Sequence, residues 1–353
     1  MSQLAKLFVV LALTTLASRV GADAVDDYLT AQMQQRQIPG LALAVVHHGK
    51  TVKAQGYGFS NLELHTPVTT ATVFEIGSLT KQFTAACVLL LAQEGKIGLD
   101  EPINKYFQVP ESWKAIRVRH LLTHTSGIKT YNNLPGFEAA HPLKAEEFIA
   151  EIAAYPLDFA PGETFAYCNS GYNLLGFLIE KVSGQSYWQF LAARILNPLE
   201  MTATQSRDQK KIILNRAAGY ELKNEQLVNR DPELTDVFSA GAMVSTIPDL
   251  LKWNSALDSG KLLKPTSMEQ MWTPFKLNGG KLSTYGFGWR IDEYKGTKNI
   301  GHGGSTSGFS CSLQRFPDAT LAVIMLCNSG QKNIATTVAR GVADLYLARQ
   351  GRE

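Results

Sequence analysis

Ser78 stands three residues before Lys81 in the stretch FEIGSLTKQF, residues 74–83. On a helix that spacing puts two side chains on one face, so a hydroxyl and an amine would meet. A serine hydroxyl is a weak nucleophile until a base takes its proton. A lysine amine is protonated at neutral pH unless burial or a neighbouring charge lowers its pKa. The pair therefore describes a nucleophile beside a proton acceptor, still in need of a proton carrier and of donors for an oxyanion. Ser126 and Ser329 also have a lysine three residues on. Each is followed by glycine and reads as a turn or cap residue. Only Ser78 opens a convincing helix, where the dipole and free first-turn N–H groups favour negative charge. The bland alternative for this stretch is an ordinary cap serine and a surface lysine.

Two further stretches could complete the chemistry. PGETFAYCNSGYNLLG (Pro161–Gly176) holds Tyr167, Cys168 and Asn169. Pro161–Gly162 is a predicted turn, and Asn169 or Ser170 is a predicted cap for a helix starting near Gly171. Phenol and amide would then sit on a rigid corner. A second Tyr-x-Asn, Tyr131–Asn133, falls in a polar loop. NIGHGGSTSGFSC (Asn299–Cys311) holds His302, Gly303 and Gly304. The other His-x-Gly, His47–Gly49, is explained by a hairpin turn. Glycines at 303, 304 and 308 would let a ligand approach the backbone. An edge strand there would offer N–H groups to a substrate carbonyl.

The elements that must position these residues follow from periodicity. Asp26–Gln35 reads as an amphipathic helix stopped by Pro39–Gly40. Leu41–Leu62 reads as two β-rich runs around a turn at His48–Gly49. From Ser78 the apolar residues fall three or four apart, and Gly95 provides the stop. Further helices are expected near 144–155, 171–183, 186–196 and 247–258, the last capped by Thr246 and ended by Gly260. Strands return with TYGFGWRIDEY, GFSCSLQRF and TLAVIMLCN, and a helix over about 333–348 closes the chain. The expected fold is therefore mixed α/β (α+β): one antiparallel sheet built from both chain ends, with a mostly helical insert.

The chain has 353 residues and 45% hydrophobic content, enough for a large core. Lys6, the apolar run Leu7–Ala17 and the small residues Val20–Ala22 form an export-signal pattern. The run is shorter than the roughly 20 residues of a membrane span. The expected organisation is a signal peptide over 1–22 and a single catalytic domain over 23–353, with a periplasmic or secreted location. Within that domain the sheet lobe would comprise 26–77 and 285–350, and the helical lobe 78–284. The net charge of +3 would fall to about +1 without Lys6 and Arg19. No basic block argues for nucleic acid. Four cysteines are not a disulfide scaffold. A tight turn at Asp318–Ala319 would pair Cys311 with Leu326, out of register for a Cys311–Cys327 bridge, so free thiols are expected. His120 and His124 are four apart on an expected helix, but no glutamate follows His120 and no third ligand presents itself, so they read as structural rather than metal-binding.

Ser78-x-x-Lys81, Tyr167-x-Asn169 and His302-x-Gly304, in that order, resemble the serine β-lactamase and penicillin-recognising superfamily. The branch most similar is that of class C β-lactamases, D-alanyl-D-alanine carboxypeptidases and family VIII esterases. HLLTHTSGI (His120–Ile128), GAMVSTIPDLLKW (Gly241–Trp253) and YGFGW (Tyr285–Trp289) support the resemblance, which covers about 26–348. It implies an active site between two lobes. Ser78 would be acylated, Lys81 and Tyr167 would share proton transfers, and Asn169 would bind the substrate amide. Asn169 would also hydrogen-bond the Lys81 amine, and the backbone N–H groups of Ser78 and Ser305 would form the oxyanion hole, with His302, Gly303 and Gly304 binding substrate. It implies no metal or cofactor, and a small-molecule or peptide substrate: an ester, a D-amino-acid peptide or a β-lactam. Class C enzymes usually carry lysine where this chain has His302. A largely neutral imidazole disfavours efficient cephalosporinase activity and favours the peptidase and esterase members. The alternatives are a class C-type β-lactamase and a non-catalytic penicillin or peptide receptor. Cys168 reads as a spacer.

Overall fold

The computed structural model describes residues 20–135, 144–231, 234 and 237–350. The candidate leader Leu7–Ala17 lies outside them. Helix α1 (Val20–Arg36) precedes strands β1 (Gly40–His47), β2 (Lys50–Asn61), β3 (Thr66–Pro67) and β4 (Phe74–Glu75). A 3-10 turn, Gly77–Leu79, leads into α2 (Thr80–Gln93), then α3 (Val118–Leu122), α4 (Ala145–Ala153), α5 (Asn169–Ser183) and α6 (Tyr187–Leu191). α6 continues as a π-helical segment, Ala192–Leu196. Strands β5 (Gln205–Ser206), β6 (Tyr220–Lys223) and β7 (Gln226–Asn229) precede α7 (Phe238–Gly241), β8 (Met243–Ser245), α8 (Ile247–Ser259) and α9 (Pro265–Met271). β9 (Arg290–Tyr294), β10 (Thr297–Thr306), β11 (Phe309–Phe316), β12 (Leu321–Cys327) and α10 (Ile334–Gln350) complete the described chain.

The main sheet has seven strands in the order β3-β2-β1-β12-β11-β10-β9. Both chain ends build it, and its ladders are antiparallel. The β1–β2 turn has positive φ at His48 and Gly49, the twist-matched form of a two-residue hairpin. Successive side chains on a strand point to opposite faces. Leu41, Leu43 and Val45 accordingly pack with Val323, Met325, Val25 of α1 and Val338 of α10. Ala42, Ala44, Ile324 and Leu326 join the second core, with Phe83 of α2 and Trp253 of α8. Burying each large apolar side chain contributes about 1.5–3 kcal/mol. α2 is buried from Thr80 to Leu91, as expected of a helix surrounded on all sides.

The expected helices appear with shifted ends. Thr246 accepts from the Asp249 N–H at 3.4 Å, and Gly260 ends α8 at φ +64°. Ser78 lies on the 3-10 turn rather than in α2 itself. α5 begins at Asn169, with Cys168 at its cap and no side-chain capping bond. The expected caps are engaged elsewhere: Asn169 turns into the site, and Ser170 Oγ accepts from the Tyr131 N–H at 2.8 Å. Of TYGFGWRIDEY, only Arg290–Tyr294 is strand.

The β11–β12 hairpin pairs Cys311 with Leu326, as the turn predicts. Cys311 and Cys327 belong to cores on opposite faces of the sheet. All four cysteines are free and buried. The native protein should therefore be inert to a thiol-titrating disulfide reagent and release four equivalents after denaturation without reductant. Two equivalents would mean a bridge.

Candidate active site

The Ser78 turn is held from three sides. Gly77 has φ +47°, and a Cβ on it would stand 2.7 Å from the Ser305 backbone nitrogen. Only glycine permits both that conformation and that approach. Thr80 Oγ1 donates to the Gly77 carbonyl at 2.7 Å, and the Ile76 N–H donates to Met243 O at 2.9 Å. Ser78 is left half-exposed on the ridge between two clefts of about 580 and 560 Å³. One runs past Tyr167, Arg290 and the β10 glycines towards α10. The other is walled by Asn132, Asn169, Leu234 and Val237.

Lys81, one residue into α2, is fully buried. Its Nζ lies 3.1 Å from Ser78 Oγ, 2.7 Å from Asn169 Oδ1 and 2.7 Å from the Ala240 carbonyl. Three acceptors match the three donors of an ammonium. Burial nevertheless pushes its pKa well below the ordinary lysine value, and the Arg290 charge adds to that push. A neutral amine in the same place could instead accept the Ser78 proton. The Lys81 Nζ is 4.8 Å from the centre of the Tyr167 ring. The Tyr167 hydroxyl faces that of Ser78 but forms no hydrogen bond of normal geometry. Burial raises its pKa, against the pull of Ser78 and Arg290.

The expected residues thus converge. Ser78, Lys81, Tyr167 and Asn169 share one cluster, and His302, Gly303, Gly304 and Ser305 form the facing strand. β10 pairs with β9 only as far as Gly301, so residues 302–306 have a strand neighbour on the β11 side alone. That segment is the expected edge. The glycines also serve the packing of the strand. A Cβ on Gly304 would stand 2.0 Å from the Ile76 carbonyl, and one on Gly303 would stand 2.8 Å from Thr336 Oγ1. They admit the Ser78 segment on one face and α10 on the other, while Gly303 and Gly304 still line the cleft.

His302 is 3% exposed. Its Nδ1 lies 2.5 Å from the Gly303 carbonyl and its Nε2 2.8 Å from Tyr285 Oη. A carbonyl only accepts, so Nδ1 carries the proton and Nε2 accepts from the phenol. Burial, with the charges of Lys81 and Arg290, lowers its pKa to about 3. The imidazole is neutral, as its reference pKa suggests, and is committed to a tyrosine. Of the two arginines lining this cleft, Arg340 is paired with Asp292, and the other is exposed Arg290, whose guanidinium lies 5.7 Å from the Tyr167 ring. Among the described residues no acidic side chain forms an ion pair with it.

Neighbouring side chains support the cluster, and of these only Asn132 is unmarked in the sequence. Asn132, in the loop dismissed with Tyr131, accepts from Asn169 Nδ2 at 2.6 Å. His124 lies outside the short helix of His120 and has φ +57°. It accepts from the Cys168 N–H at 3.1 Å and stacks on Tyr167, ring centres 4.2 Å apart. It therefore supports the corner holding phenol and amide. Cys168 Sγ donates to the Ile128 carbonyl at 3.2 Å, away from Ser78, as befits a spacer.

The sequence profile of the Beta-lactamase family matches residues 25–347. Penicillin-binding protein 4* of Bacillus subtilis is 28% identical over 319 residues, 84% of this chain and 69% of that protein. Protein flp of Staphylococcus aureus is 28% identical over 327 residues; the chain spans 64% of its length. Among solved structures, a penicillin-binding protein homologue from Pyrococcus abyssi superposes with a TM-score of 0.82 at 30% identity, covering 93% of this chain and 77% of that one. A D-amino acid amidase from Ochrobactrum anthropi SV3 gives 0.80 at 26%, covering 94% and 99%.

Buried neutral histidines make stability acid-sensitive. The pKa of His120 is lowered to about 4, chiefly by burial, and that of His124 falls well below 6.5 for the same reason. The unfolded chain takes up these protons as pH falls through 6.5, whereas folded His302 and His120 resist until about 3 and 4. Stability present above pH 6.5 is thus lost towards pH 3, at up to about 1.4 kcal/mol per pH unit for each group. Thermal melting between pH 7 and 4.5 should fall steeply, and less steeply in His302→Gln. Equal slopes would contradict the neutral assignment of His302.

Proposed function

The chain belongs to the β-lactamase family, and from that premise we propose that it is an exported serine hydrolase working through an acyl-enzyme on Ser78. The observation that carries this reading is the buried Lys81 amine, in contact with both Ser78 and Asn169. The export proposal rests on the Leu7–Ala17 run. No helix among the described residues is long and apolar enough to cross a membrane.

In the proposed mechanism Ser78 Oγ attacks the substrate carbonyl while its proton passes to the Lys81 amine. The depressed pKa of Lys81 and the raised one of Tyr167 favour the amine as acceptor and the neutral phenol as relay. The carbonyl electron pair moves onto oxygen and is held by the backbone N–H groups of Ser78 and Ser305. When the pair returns, the bond to the leaving group breaks. Tyr167 protonates that group and is reprotonated from Lys81. Water, deprotonated in the same way, then releases the acyl group and restores Ser78. Positioned proton transfer of this kind typically contributes ~10²–10⁴-fold, and an oxyanion donor roughly 10²–10³. Asn169 and Asn132 offer amides to the acyl side.

Substrate class follows from charge. A neutral His302 gives no cation at the position where class C enzymes usually have lysine, which favours ester and D-amino-acid peptide or amide hydrolysis over cephalosporin turnover. Amidase and penicillin-binding relatives are consistent with that preference. Arg290, at the mouth of the leaving-group cleft, is suited to a carboxylate there.

Incubation with a fluorophosphonate, followed by intact-mass measurement, should add one adduct to the wild type and none to Ser78→Ala. Short-chain p-nitrophenyl ester hydrolysis should exceed nitrocefin hydrolysis. An adduct on Ser78→Ala would overturn the nucleophile, and faster nitrocefin turnover the substrate class. Arg290→Gln should raise KM about tenfold for a peptide with a free C-terminal carboxylate and leave a neutral ester within about twofold. A uniform loss on both would remove Arg290 from carboxylate recognition.

A further inference from the structure

Glu75 lies three residues before Ser78 and is 2% exposed. A buried carboxylate is costly unless paired and hydrogen-bonded. Glu75 Oε1 accepts from Arg207 Nε at 3.1 Å, and Oε2 accepts from Thr306 Oγ1 at 2.7 Å. Arg207, 4% exposed, is held in turn by Asp231, which also pairs with Arg216. Burial raises the Glu75 pKa, and Thr306 and Arg207 oppose that rise.

The position of this carboxylate matters more than its energy. It sits on β4, whose chain continues directly into the Ser78 turn. Thr306 is the last residue of β10 and follows Ser305. No strand flanks this end of β10 on the β9 side, since that ladder stops at Gly301. The Thr306–Glu75 bond therefore ties the end of β10 to the segment carrying Ser78, beside the bond that Cys311 Sγ of the paired strand β11 donates to the Ile76 carbonyl. The fit between them is close, with the Gly304 Cβ position 2.0 Å from Ile76 O and that of Gly77 2.7 Å from Ser305 N.

We propose that Glu75, seated by Arg207, is a positioning residue that clamps the end of β10 through Thr306 and so fixes the spacing of the Ser78 and Ser305 backbone donors. The proposal rests on the acyl-enzyme reading of Ser78 given above. Asp231 connects the same clamp to the segment that leads into the acyl-side wall at Leu234 and Val237. The carboxylate touches neither Ser78 nor Lys81 in any hydrogen bond, so its effect passes through Thr306.

Thr306→Val removes the hydroxyl with little change of shape, and Thr306→Ser retains it. In the full chain, Thr306→Val should slow fluorophosphonate labelling and lower kcat on a p-nitrophenyl ester about tenfold, with KM within twofold. Thr306→Ser should recover the lost rate. Glu75→Gln should act in the same direction, and the double variant Glu75→Gln with Thr306→Val should be no slower than the worse single one, because both break one link. Amide hydrogen exchange of the 299–309 segment should accelerate in Thr306→Val. An unchanged labelling rate in Thr306→Val, or fully additive losses, would overturn the clamp. Should wild type take no label, the acyl-enzyme reading fails instead. The exchange measurement then decides the clamp: protection equal to wild type in Thr306→Val overturns it, and faster exchange upholds the link.

Discussion

A lysine side chain cannot be buried without acceptors, and the site is organised around that requirement for Lys81. Stranding its charge would cost several kcal/mol. Its three acceptors come from three parts of the chain: Ser78 from the adjacent turn, Asn169 from the start of α5 and the Ala240 carbonyl from α7. These elements meet only if α2 runs through the centre of the helical side, and its continuous burial places it there. Core packing and the candidate chemistry are therefore one constraint. The apolar residues that fix α2 also remove water from the amine and depress its pKa.

Burial of one cation shapes its neighbours. His302 and His124 both lie near Lys81 and Arg290, and both imidazoles are pushed towards neutrality, chiefly by burial. A lysine at 302 would add a further buried charge against Lys81. Histidine avoids it, because its two nitrogens are satisfied by Tyr285 and the Gly303 carbonyl. Positive charge sits instead on exposed Arg290 at the start of β9, close enough to add to the depression of the Lys81 pKa and open to solvent. In the proposed function this balance moves the carboxylate-binding charge from position 302 to Arg290.

Residues whose role is set by local chemistry were legible in the sequence. Ser78 and Lys81 were marked by spacing, the Tyr167–Asn169 corner by its Pro-Gly turn and helix start, and the β11–β12 register by its turn. The sheet built from both chain ends followed from strand patterns at 41–62 and 309–327. Residues whose role depends on distant partners were not legible. Asn132 meets Asn169 across 37 positions, His124 meets Cys168 across 44, and Glu75 meets Thr306 across 231. Nothing in a side chain's own neighbourhood announces such contacts. Of the two readings of Asn169, the local one, a helix cap, does not hold, whereas the contact with the Lys81 amine that the resemblance implies is present.

The β10 glycines show how the same residue type supports opposite inferences. A run of glycine on a strand reports only that something approaches the backbone closely. From sequence, a ligand was the natural visitor. In the fold the Ile76 carbonyl and Thr336 also stand against those positions, so the strand is pressed between the Ser78 segment and α10 while still lining the cleft. In the proposed mechanism this bears on rate rather than on affinity. Donors that bind a developing oxyanion are effective in proportion to how little they must move when charge appears. Ser305 lies where one face of the strand abuts Gly77, and residue 306 is tied to a buried carboxylate. A backbone packed against backbone in this way has few alternative positions to visit. On this argument the glycines serve preorganisation, and the missing side chains matter because protein fills the space they leave.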